Sequence, residues 1–304
     1  MRQNFGRLGL LLVTVIWGTG YVVSDIALGV LNPYQLMAGR FLIAFIFILI
    51  LFSNKIKNIT KKALKRGSIL GVILYLAFLF QTVGLNYTTP SKNAFLTAVN
   101  VVIVPFIGLV LYKNNIALRA YLGAFLSIIG IGLLSLEGFS GFNLGDFLTL
   151  IGAVFFSFQI ILTSRFVRTE NIFSIMIVQM GVAALCAIGV MLFRGDPLPE
   201  FTLTGTLSVA YLGFFCTLFG FMLQTAAQRF TTDTETAVIL SMESLWGMLF
   251  SIILLQELIT VQMAIGAALI LVGVLVSEID LKKVFFKRNQ RTKSEKIAEK
   301  MTNG

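Results

Sequence analysis

The feature that most restricts what this chain can fold into is a series of ten apolar runs of about 20 residues, separated by short links. The runs cover approximately residues 7–27, 33–53, 67–87, 92–112, 117–136, 145–165, 172–193, 205–228, 234–256 and 259–279. An α-helix of about 20 residues rises about 30 Å, which is the thickness of the hydrocarbon core of a bilayer. The sequence therefore predicts an all-α integral membrane protein with ten transmembrane helices.

The composition agrees with this fold class. Of the 304 residues, 57% are hydrophobic and 12% are charged, whereas soluble domains carry about 25% charged residues. The first run is too long for the core of a signal peptide and lacks a small-residue cleavage site, so we expect it to remain as the first span. The two cysteines, Cys186 and Cys216, fall inside apolar runs and are predicted to be small core residues.

The net charge of +10 is distributed very unevenly along the chain. With the amino terminus placed inside the cell, 21 of the 24 Lys and Arg residues lie in inner segments, and only Lys92 and Arg194 lie in outer loops. This asymmetry predicts a multi-pass protein of the cell membrane with both termini in the cytoplasm. The basic tail, residues 281–304, is predicted to be disordered and to contact anionic membrane lipids; the alternative is that it only sets the topology. Neither explanation requires a nucleic-acid partner.

The sequence contains an internal repeat. A shift of 143 residues aligns the segment that begins at 78 with the segment that begins at 221, and a shift of 139 aligns the earlier spans. The matched polar or glycine positions are Gln81/Gln224, Thr82/Thr225, Thr88/Thr231, Thr89/Thr232, Gly123/Gly266, Gly130/Gly273, Gly6/Gly145 and Asn32/Asn171.

The chain is therefore predicted to consist of two five-helix repeats, residues 1–136 and 137–280. Because five is odd, the second repeat must enter the membrane from the opposite side. Such inverted repeats recur in secondary transporters, where the substrate site lies between the halves near the midplane. The alternative is a structural protein that only retains the trace of a gene duplication.

Two charged residues stand out because they lie well inside apolar spans, away from the ends. Arg40 lies within the second span, and Glu243 lies near the middle of the ninth. Charges inside a membrane are costly and generally face the interior of the bundle, where they mark pathways. The repeat pairs Glu243 with Asn100, which is also polar and mid-span, so both are predicted to face the axis between the halves. The alternative is that Arg40 and Glu243 form a purely structural ion pair.

Other residues are predicted to contact a substrate. The neighbours of Glu243 on its helix face include a hydroxyl, a small residue and aromatic rings, a mixture that suits an amphipathic solute. Glu243 itself is predicted either to carry a coupling proton or to bind the ammonium group of the solute. The remaining candidate binding residues are polar or aromatic and lie inside spans: Trp17, Gln81, Gln159, Gln224 and Trp246.

A family resemblance is carried by four stretches, which read "VIWGTGYVVSDIAL", "NPYQLMAGRFLIA", "QTVGLNYTTPSKNAFLT" and "MESLWGMLFSIILLQE". Together they resemble the ten-span EamA branch of the drug/metabolite transporter superfamily over about residues 6–280. The resemblance implies a 5+5 helical fold around a central cavity and the export of amino acids or related metabolites. The chain departs from the family pattern at Ser244, where proline is common, and at Asn114, where glutamate is common. Because serine restores a backbone donor, we expect span nine to be straighter than with proline.

The residue inventory argues against an enzyme. The chain has no histidine, which excludes Ser-His and Cys-His couples and His ligands for zinc. No aspartate lies deep in a span, and the glycine-rich stretch at 138–145 lacks the lysine of a P-loop. We therefore expect no catalytic residue, no metal and no cofactor.

These observations predict a secondary active transporter. It would export small amphipathic metabolites such as amino acids by alternating access, with coupling to the proton gradient through Glu243. Two alternatives remain at this stage: a non-transporting membrane scaffold or accessory subunit, and a flippase for a lipid-linked group. The sequence leaves the solute and the oligomeric state open.

Overall fold

Ten helices, here α1 to α10, account for almost all of the regular structure in the described part of the chain. A computed structural model describes residues 2–112, 118–135, 143–200 and 202–278. The helices of the first half are α1 (Arg2–Leu28), α2 (Pro33–Phe52, followed by a 3₁₀ turn at Ser53–Asn58), α3 (Lys61–Leu85), α4 in two pieces, α4a (Pro90–Ala98) and α4b (Asn100–Tyr112), and α5 (Leu118–Ser135). Those of the second half begin with α6 (Leu144–Phe166) and α7 (Ile172–Phe193), followed by α8, which consists of α8a (Leu203–Tyr211), the π-helical segment Leu212–Phe219 and α8b (Gly220–Ala227). The last two are α9, divided into α9a (Asp233–Ser241) and α9b (Glu243–Phe250, followed by a π-helical turn at Ser251–Leu255), and α10 (Val261–Glu278).

The predicted all-helical membrane fold is confirmed. Eight of the ten helices are long and apolar enough to cross a membrane, and α5 and α10 contain shorter apolar stretches, Tyr121–Leu133 and Val261–Val276. The basic tail and Asn114 lie outside the described residues, so the expectations about them stay predictions.

Several polar identities of the repeat are helix caps. The side chains of Asn32 and Asn171 accept backbone N–H groups at the starts of α2 and α7. Thr89 and Thr232 do the same at the starts of α4a and α9a. A capping side chain satisfies a donor that the first helical turn leaves free. These matched residues therefore have a local structural cause and need no ligand to explain them.

Spans four and nine are interrupted at equivalent places. The α-helical pattern is broken at Val99 in span four and at Met242 in span nine, which differ by the repeat offset of 143. At Met242 the backbone N–H donates to Ile239 O, three residues back, at 3.1 Å. Asn100 and Glu243 are thus the first residues of α4b and α9b. Ser244 does not leave span nine continuous.

The helices of the two halves interleave. Helix α1 packs against α8b, α9a and α9b, and α3 packs against α6 and α7. Helix α2 lies against α7 and α8, and α4a lies against α9b. Because α4a and α9b begin or end at the breaks, both interruptions lie where the halves meet. This interface encloses the cavity described next.

Candidate functional site

A cavity with about 650 Å³ of empty space, counted out to its mouth, lies between the two halves. Its wall is built by α1, α2, α3, α4, α6, α8 and α9. Seven of the eight predicted site residues line it: Trp17, Arg40, Gln81, Asn100, Gln159, Gln224 and Glu243. The structure therefore brings together side chains that are up to 226 positions apart in the chain.

Trp246 is the predicted site residue that does not line this cavity. It lies on the face of α9b that packs on α1, where a Cβ added at Gly18 would collide with Trp246 Cβ. Its ring stacks on Phe250 with the centroids 6.1 Å apart. The helix break at Met242 lies four residues before Trp246. The packing of α9b on α1 and the contact with Phe250 account for the position of the indole.

Glu243 is held by a short chain of hydrogen bonds. Its side chain is buried, with 5% of the residue exposed, and Oε1 accepts the Tyr21 hydroxyl at 3.1 Å. Gln81 Nε2 in turn donates to Tyr21 Oη at 3.3 Å and to Thr97 Oγ1 at 3.0 Å. The glycine at 247 gives Tyr21 room, because a Cβ there would lie 3.3 Å from Tyr21 Cδ2. The acid is therefore fixed by neutral donors.

Arg40 occupies another part of the cavity wall and has no acidic partner among the described residues. Only 3% of the residue is exposed. Its Nε donates to Thr217 Oγ1 at 3.0 Å, and its guanidinium lies 4.1 Å from the centroid of the Phe78 ring. A guanidinium has five N–H donors, and the bond to Thr217 is the one that it makes to protein among the described residues. Its other donors are available to a ligand in the cavity.

The π-helical segment of α8 positions Arg40. Thr217 lies in this segment and donates its hydroxyl to Leu212 O, five residues earlier, at 2.8 Å. The indole N–H of Trp17 donates to Cys216 O in the same segment at 2.8 Å. Single π turns inside helices frequently occur at functional sites, and here one supplies contacts to two cavity residues.

The predicted alternative of a structural ion pair is not formed in this conformation. Arg40 and Glu243 are both described, and no salt bridge within 4.0 Å joins them. Two buried charges without a counter-charge are costly unless they are well hydrogen-bonded. Neither side chain therefore neutralises the other in this conformation.

Amide groups complete the polar part of the wall. Gln224 Nε2 donates to Gln159 Oε1 at 3.4 Å, and Gln159 Nε2 donates to Thr163 Oγ1 at 3.1 Å. The buried carbonyl oxygens Asn100 Oδ1 and Gln224 Oε1 have no hydrogen-bond partner. Buried polar atoms normally find partners, so these two oxygens have unused capacity to accept a hydrogen bond.

Sequence reasoning missed several wall residues. Tyr21 follows Trp17 by four positions on α1, so the helical period could have identified it. Thr217, which holds Arg40 without itself lining the cavity, could not be identified, because its position depends on the π-helical segment. The apolar wall is formed by Phe78 with Phe156 and Phe221, whose ring centroids lie 5.2 Å and 5.8 Å from that of Phe78.

Comparison with known proteins places this arrangement in a family. A model of the EamA-like transporter family matches residues 4–136 and, a second time, residues 143–278. The chain belongs to the EamA-like transporter family. The resemblance predicted from the sequence motifs is thereby confirmed, together with the presence of two EamA repeats.

Relatives of known sequence are transporters without an assigned substrate. An uncharacterized transporter of Archaeoglobus fulgidus is 34% identical over 276 residues, which cover 91% of this chain and 86% of the relative. An uncharacterized transporter of Methanothermobacter thermautotrophicus is 25% identical over 302 residues, covering 91% of this chain and 87% of the relative. The uncharacterized transporter YyaM of Bacillus subtilis is 24% identical over 286 residues, covering 88% and 92%.

A solved crystal structure has the same fold. It superposes with a TM-score of 0.65 at 18% identity and covers 90% of this chain and 96% of its own. The chain is thus a multi-pass membrane transporter of the EamA family, whose members are normally not enzymes. The predicted transport function is confirmed at this level, and the solute, the coupling and the orientation of the termini stay predictions.

Proposed function

We propose that this EamA transporter exports small zwitterionic metabolites, such as apolar or aromatic amino acids, in exchange for protons. One observation carries the proposal: Arg40 and Glu243 are buried in the wall of one cavity and are not paired with each other. A solute with a carboxylate and an ammonium group matches these two charges. The scaffold alternative is set aside because the family is one of transporters.

Arg40 is proposed to bind the carboxylate. A guanidinium forms paired, charge-assisted hydrogen bonds with carboxylates. Its single bond to Thr217 and its contact with Phe78 fix the orientation of the side chain. The rings of Phe78, Phe156 and Phe221 offer an apolar surface to the side chain of the solute.

Glu243 is proposed to bind the ammonium group and the proton in turn. On the cytoplasmic side the ionised carboxylate holds the ammonium of the solute. On the outer side a proton from the gradient binds the carboxylate, which then no longer attracts the ammonium, and the solute leaves. The proton leaves on the inner side after the return step, and one proton enters for each solute exported. Two inverted repeats that exchange conformations support such alternating access.

Flux through the purified protein in proteoliposomes tests this proposal. The probe is radiolabelled phenylalanine, measured as uphill transport driven by a pH gradient and as counterflow without a gradient. Glu243→Gln should abolish the uphill transport, because glutamine cannot release a proton. Asp25→Asn changes an acid of α1 outside the cavity wall and should transport as the wild type does. Normal uphill flux in Glu243→Gln would overturn the coupling role.

A lipid-linked solute would give a different result. Reconstituted wild-type protein would then move a fluorescent lipid between leaflets and show no counterflow of amino acids. Lipid scrambling without amino acid counterflow would contradict the proposed substrate class.

A further inference from the structure

Two pairs of charged residues lie outside the cavity wall at equivalent positions of the repeats. The first pair is Arg7 on α1 and Glu235 on α9a. The offset of 139 carries Arg7 onto Asp146, and the offset of 143 carries Glu235 onto Lys92. The second pair is therefore Asp146 on α6 and Lys92 on α4a. We call these the amino-side pair and the distal pair, because α1 and α9 begin on the face where the amino terminus lies and α4 and α6 begin on the opposite face.

Both members of the pair reverse their sign between the repeats. A cation on the first helix of one half faces an anion on α9a, and an anion on the first helix of the other half corresponds to a cation on α4a. A single sign change would have replaced attraction by repulsion. The double change keeps the two positions attractive in both halves, which indicates that the attraction itself has a role.

The amino-side pair is formed in this conformation. Arg7 Nε lies 2.5 Å from Glu235 Oε1. Glu235 is in the first turn of α9a, where its backbone N–H donates to the capping Thr232 hydroxyl at 3.1 Å. The neighbouring turn of α1 is in close contact with the end of span eight, since a Cβ on Gly6 would lie 3.3 Å from Ala227 O. On this face of the interface between the halves, α1 packs against α8b and α9a.

The distal pair lies where α4a packs against α6. Lys92 and Asp146 lie in the first turns of α4a and α6, where their backbone N–H groups donate to Thr89 and Asn143. The two helices pack together, and Asn93 Nδ2 donates to Thr149 Oγ1 at 2.8 Å. Neither Lys92 nor Asp146 takes part in a salt bridge in the described part of the chain.

Both distal residues are nevertheless buried. Asp146 is 0% exposed and accepts the Thr88 hydroxyl at 3.0 Å, and Lys92 is 8% exposed. A buried charge without a counter-charge is costly. The Asp146 carboxylate also accepts the Asn143 N–H in a capping box at the start of α6, so a movement of α4a that joined Lys92 to Asp146 would chiefly give the buried lysine a counter-charge.

We propose that the two pairs are reciprocal latches of the transport cycle. The amino-side pair closes the amino-terminal face while the cavity is open to the distal face. The distal pair closes the distal face when the amino-side pair breaks. This conformation, with the first pair closed and the second open, is the one accessible from the distal face. The inference rests on the alternating access of the proposed function and is independent of the solute.

The strength of such a latch suits a reversible switch. Arg7 and Glu235 have side chains that are 49% and 22% exposed, and ion pairs of this kind shift an equilibrium by about twofold to fivefold. Removing one partner should therefore bias the conformational equilibrium without trapping the transporter.

Cys216 lines the cavity and is only 2% exposed in this conformation, so the rate at which a reagent labels its thiol reports opening of the cavity toward the side from which the reagent is added. The experiment uses the full chain with Cys186→Ala, in membrane vesicles of both orientations, and a membrane-impermeant maleimide as the probe. Arg7→Gln should raise the labelling rate of Cys216 from the amino-terminal face and lower it from the distal face, by about twofold to fivefold. Lys92→Gln should change both rates in the opposite directions.

Two controls make the result specific. Lys57→Gln removes an exposed cation that takes part in no salt bridge in the described part of the chain, and should leave both rates unchanged. The exchanged variant Arg7→Glu/Glu235→Arg restores the attraction and should restore the wild-type rates. The proposal is overturned if Arg7→Gln and Lys92→Gln change the two labelling rates in the same way or not at all. It is also overturned if the exchanged variant folds but has the labelling rates of Arg7→Gln.

A second measurement covers variants that fail to fold. Arg7→Cys/Glu235→Cys, cross-linked by a short bifunctional reagent, should be labelled at Cys216 from the distal face alone. Labelling from the amino-terminal face after cross-linking would contradict the latch. If the protein transports amino acids but the labelling rates do not depend on the two pairs, the latch proposal is wrong and the proposed function stands. If the labelling rates depend on the two pairs but no amino acid is transported, the latch stands and the proposed function is wrong.

Discussion

At the scale of single residues, the cavity holds charges and amides whose partners are few and neutral. Glu243 accepts the Tyr21 hydroxyl, and Arg40 donates to the Thr217 hydroxyl. Asn100 Oδ1 and Gln224 Oε1 have no partner. In a site that served only to hold the fold together, these groups would be expected to satisfy each other. Their placement instead leaves them with unused hydrogen-bonding capacity, as the proposed solute site requires.

Replacing Tyr21 tests this interpretation of Glu243. Tyr21→Phe removes the hydroxyl that donates to Glu243 at 3.1 Å and keeps the ring in place. A hydrogen bond to a charged group contributes about 1.5–3 kcal/mol, so the affinity for phenylalanine should fall by about tenfold or more. Equilibrium binding to the purified protein measures this, with Tyr87→Phe, an exposed tyrosine outside the cavity, as the matched control. Unchanged affinity in Tyr21→Phe would contradict the positioning role of this hydroxyl.

At the scale of helices, close approach of α1 to α9b brings Tyr21 to Glu243. The closest contact is at Gly18, where an added Cβ would collide with Trp246 Cβ and lie 3.0 Å from Gly247 N. Small residues allow membrane helices to approach in this way. The glycine therefore determines the distance between the helix that carries Tyr21 and the helix that carries Glu243.

Gly18→Ala should consequently destabilise the protein by about 1–3 kcal/mol, the usual cost of overpacking. The measurement is the thermal unfolding of the purified protein in detergent, together with phenylalanine binding. Gly189→Ala is the matched control, because Gly189 is also in a helix and has nothing within 4 Å of an added Cβ. Equal stability of the Gly18→Ala and Gly189→Ala proteins would show that α1 and α9b do not approach as described.

The helices were largely predictable from the sequence, and the interruptions were not. The apolar runs define the spans, and the caps at Asn32 and Asn171 define where two of them begin. Both signals depend only on residues that are close in the sequence, so they can be identified without the structure. The breaks at Val99 and Met242 have no proline two residues later, where Val101 and Ser244 stand. No proline therefore marked these positions in the sequence. The π-helical segment likewise depends on packing of α8 against α2 and α1.

The same distinction explains the site. Glu243 and Arg40 were predictable because a charge is rare inside an apolar span. The absence of an ion pair between them was not predictable, since it depends on how seven helices surround the cavity. Trp246 was grouped with the cavity residues by helical neighbourhood alone, and that criterion does not determine which face of α9b meets α1, where the structure places it.

At the scale of the whole molecule, the orientation in the membrane stays a prediction from the charge asymmetry. The link between α2 and α3 carries six Lys and Arg residues within 55–66. Lys57→Cys should therefore react with an impermeant maleimide only after the cells are permeabilised. Glu200→Cys, in the exposed link before α8a, should react in intact cells. Both variants are made with Cys186→Ala and Cys216→Ala. Labelling of Lys57→Cys in intact cells would reverse the assigned orientation.

The central claim is that one solute bridges Arg40 and Glu243, and equilibrium binding of three matched solutes tests it most directly. Phenylalanine has both charged groups, phenethylamine lacks the carboxylate, and 3-phenylpropionate lacks the amine. Arg40→Gln should weaken phenylalanine and phenylpropionate by about 10- to 100-fold and leave phenethylamine unchanged, since charged hydrogen bonds contribute about 1.5–3 kcal/mol. Glu243→Gln should weaken phenylalanine and phenethylamine and spare phenylpropionate. If both variants weaken all three solutes equally, or none of them, the two charges do not hold the ends of one solute.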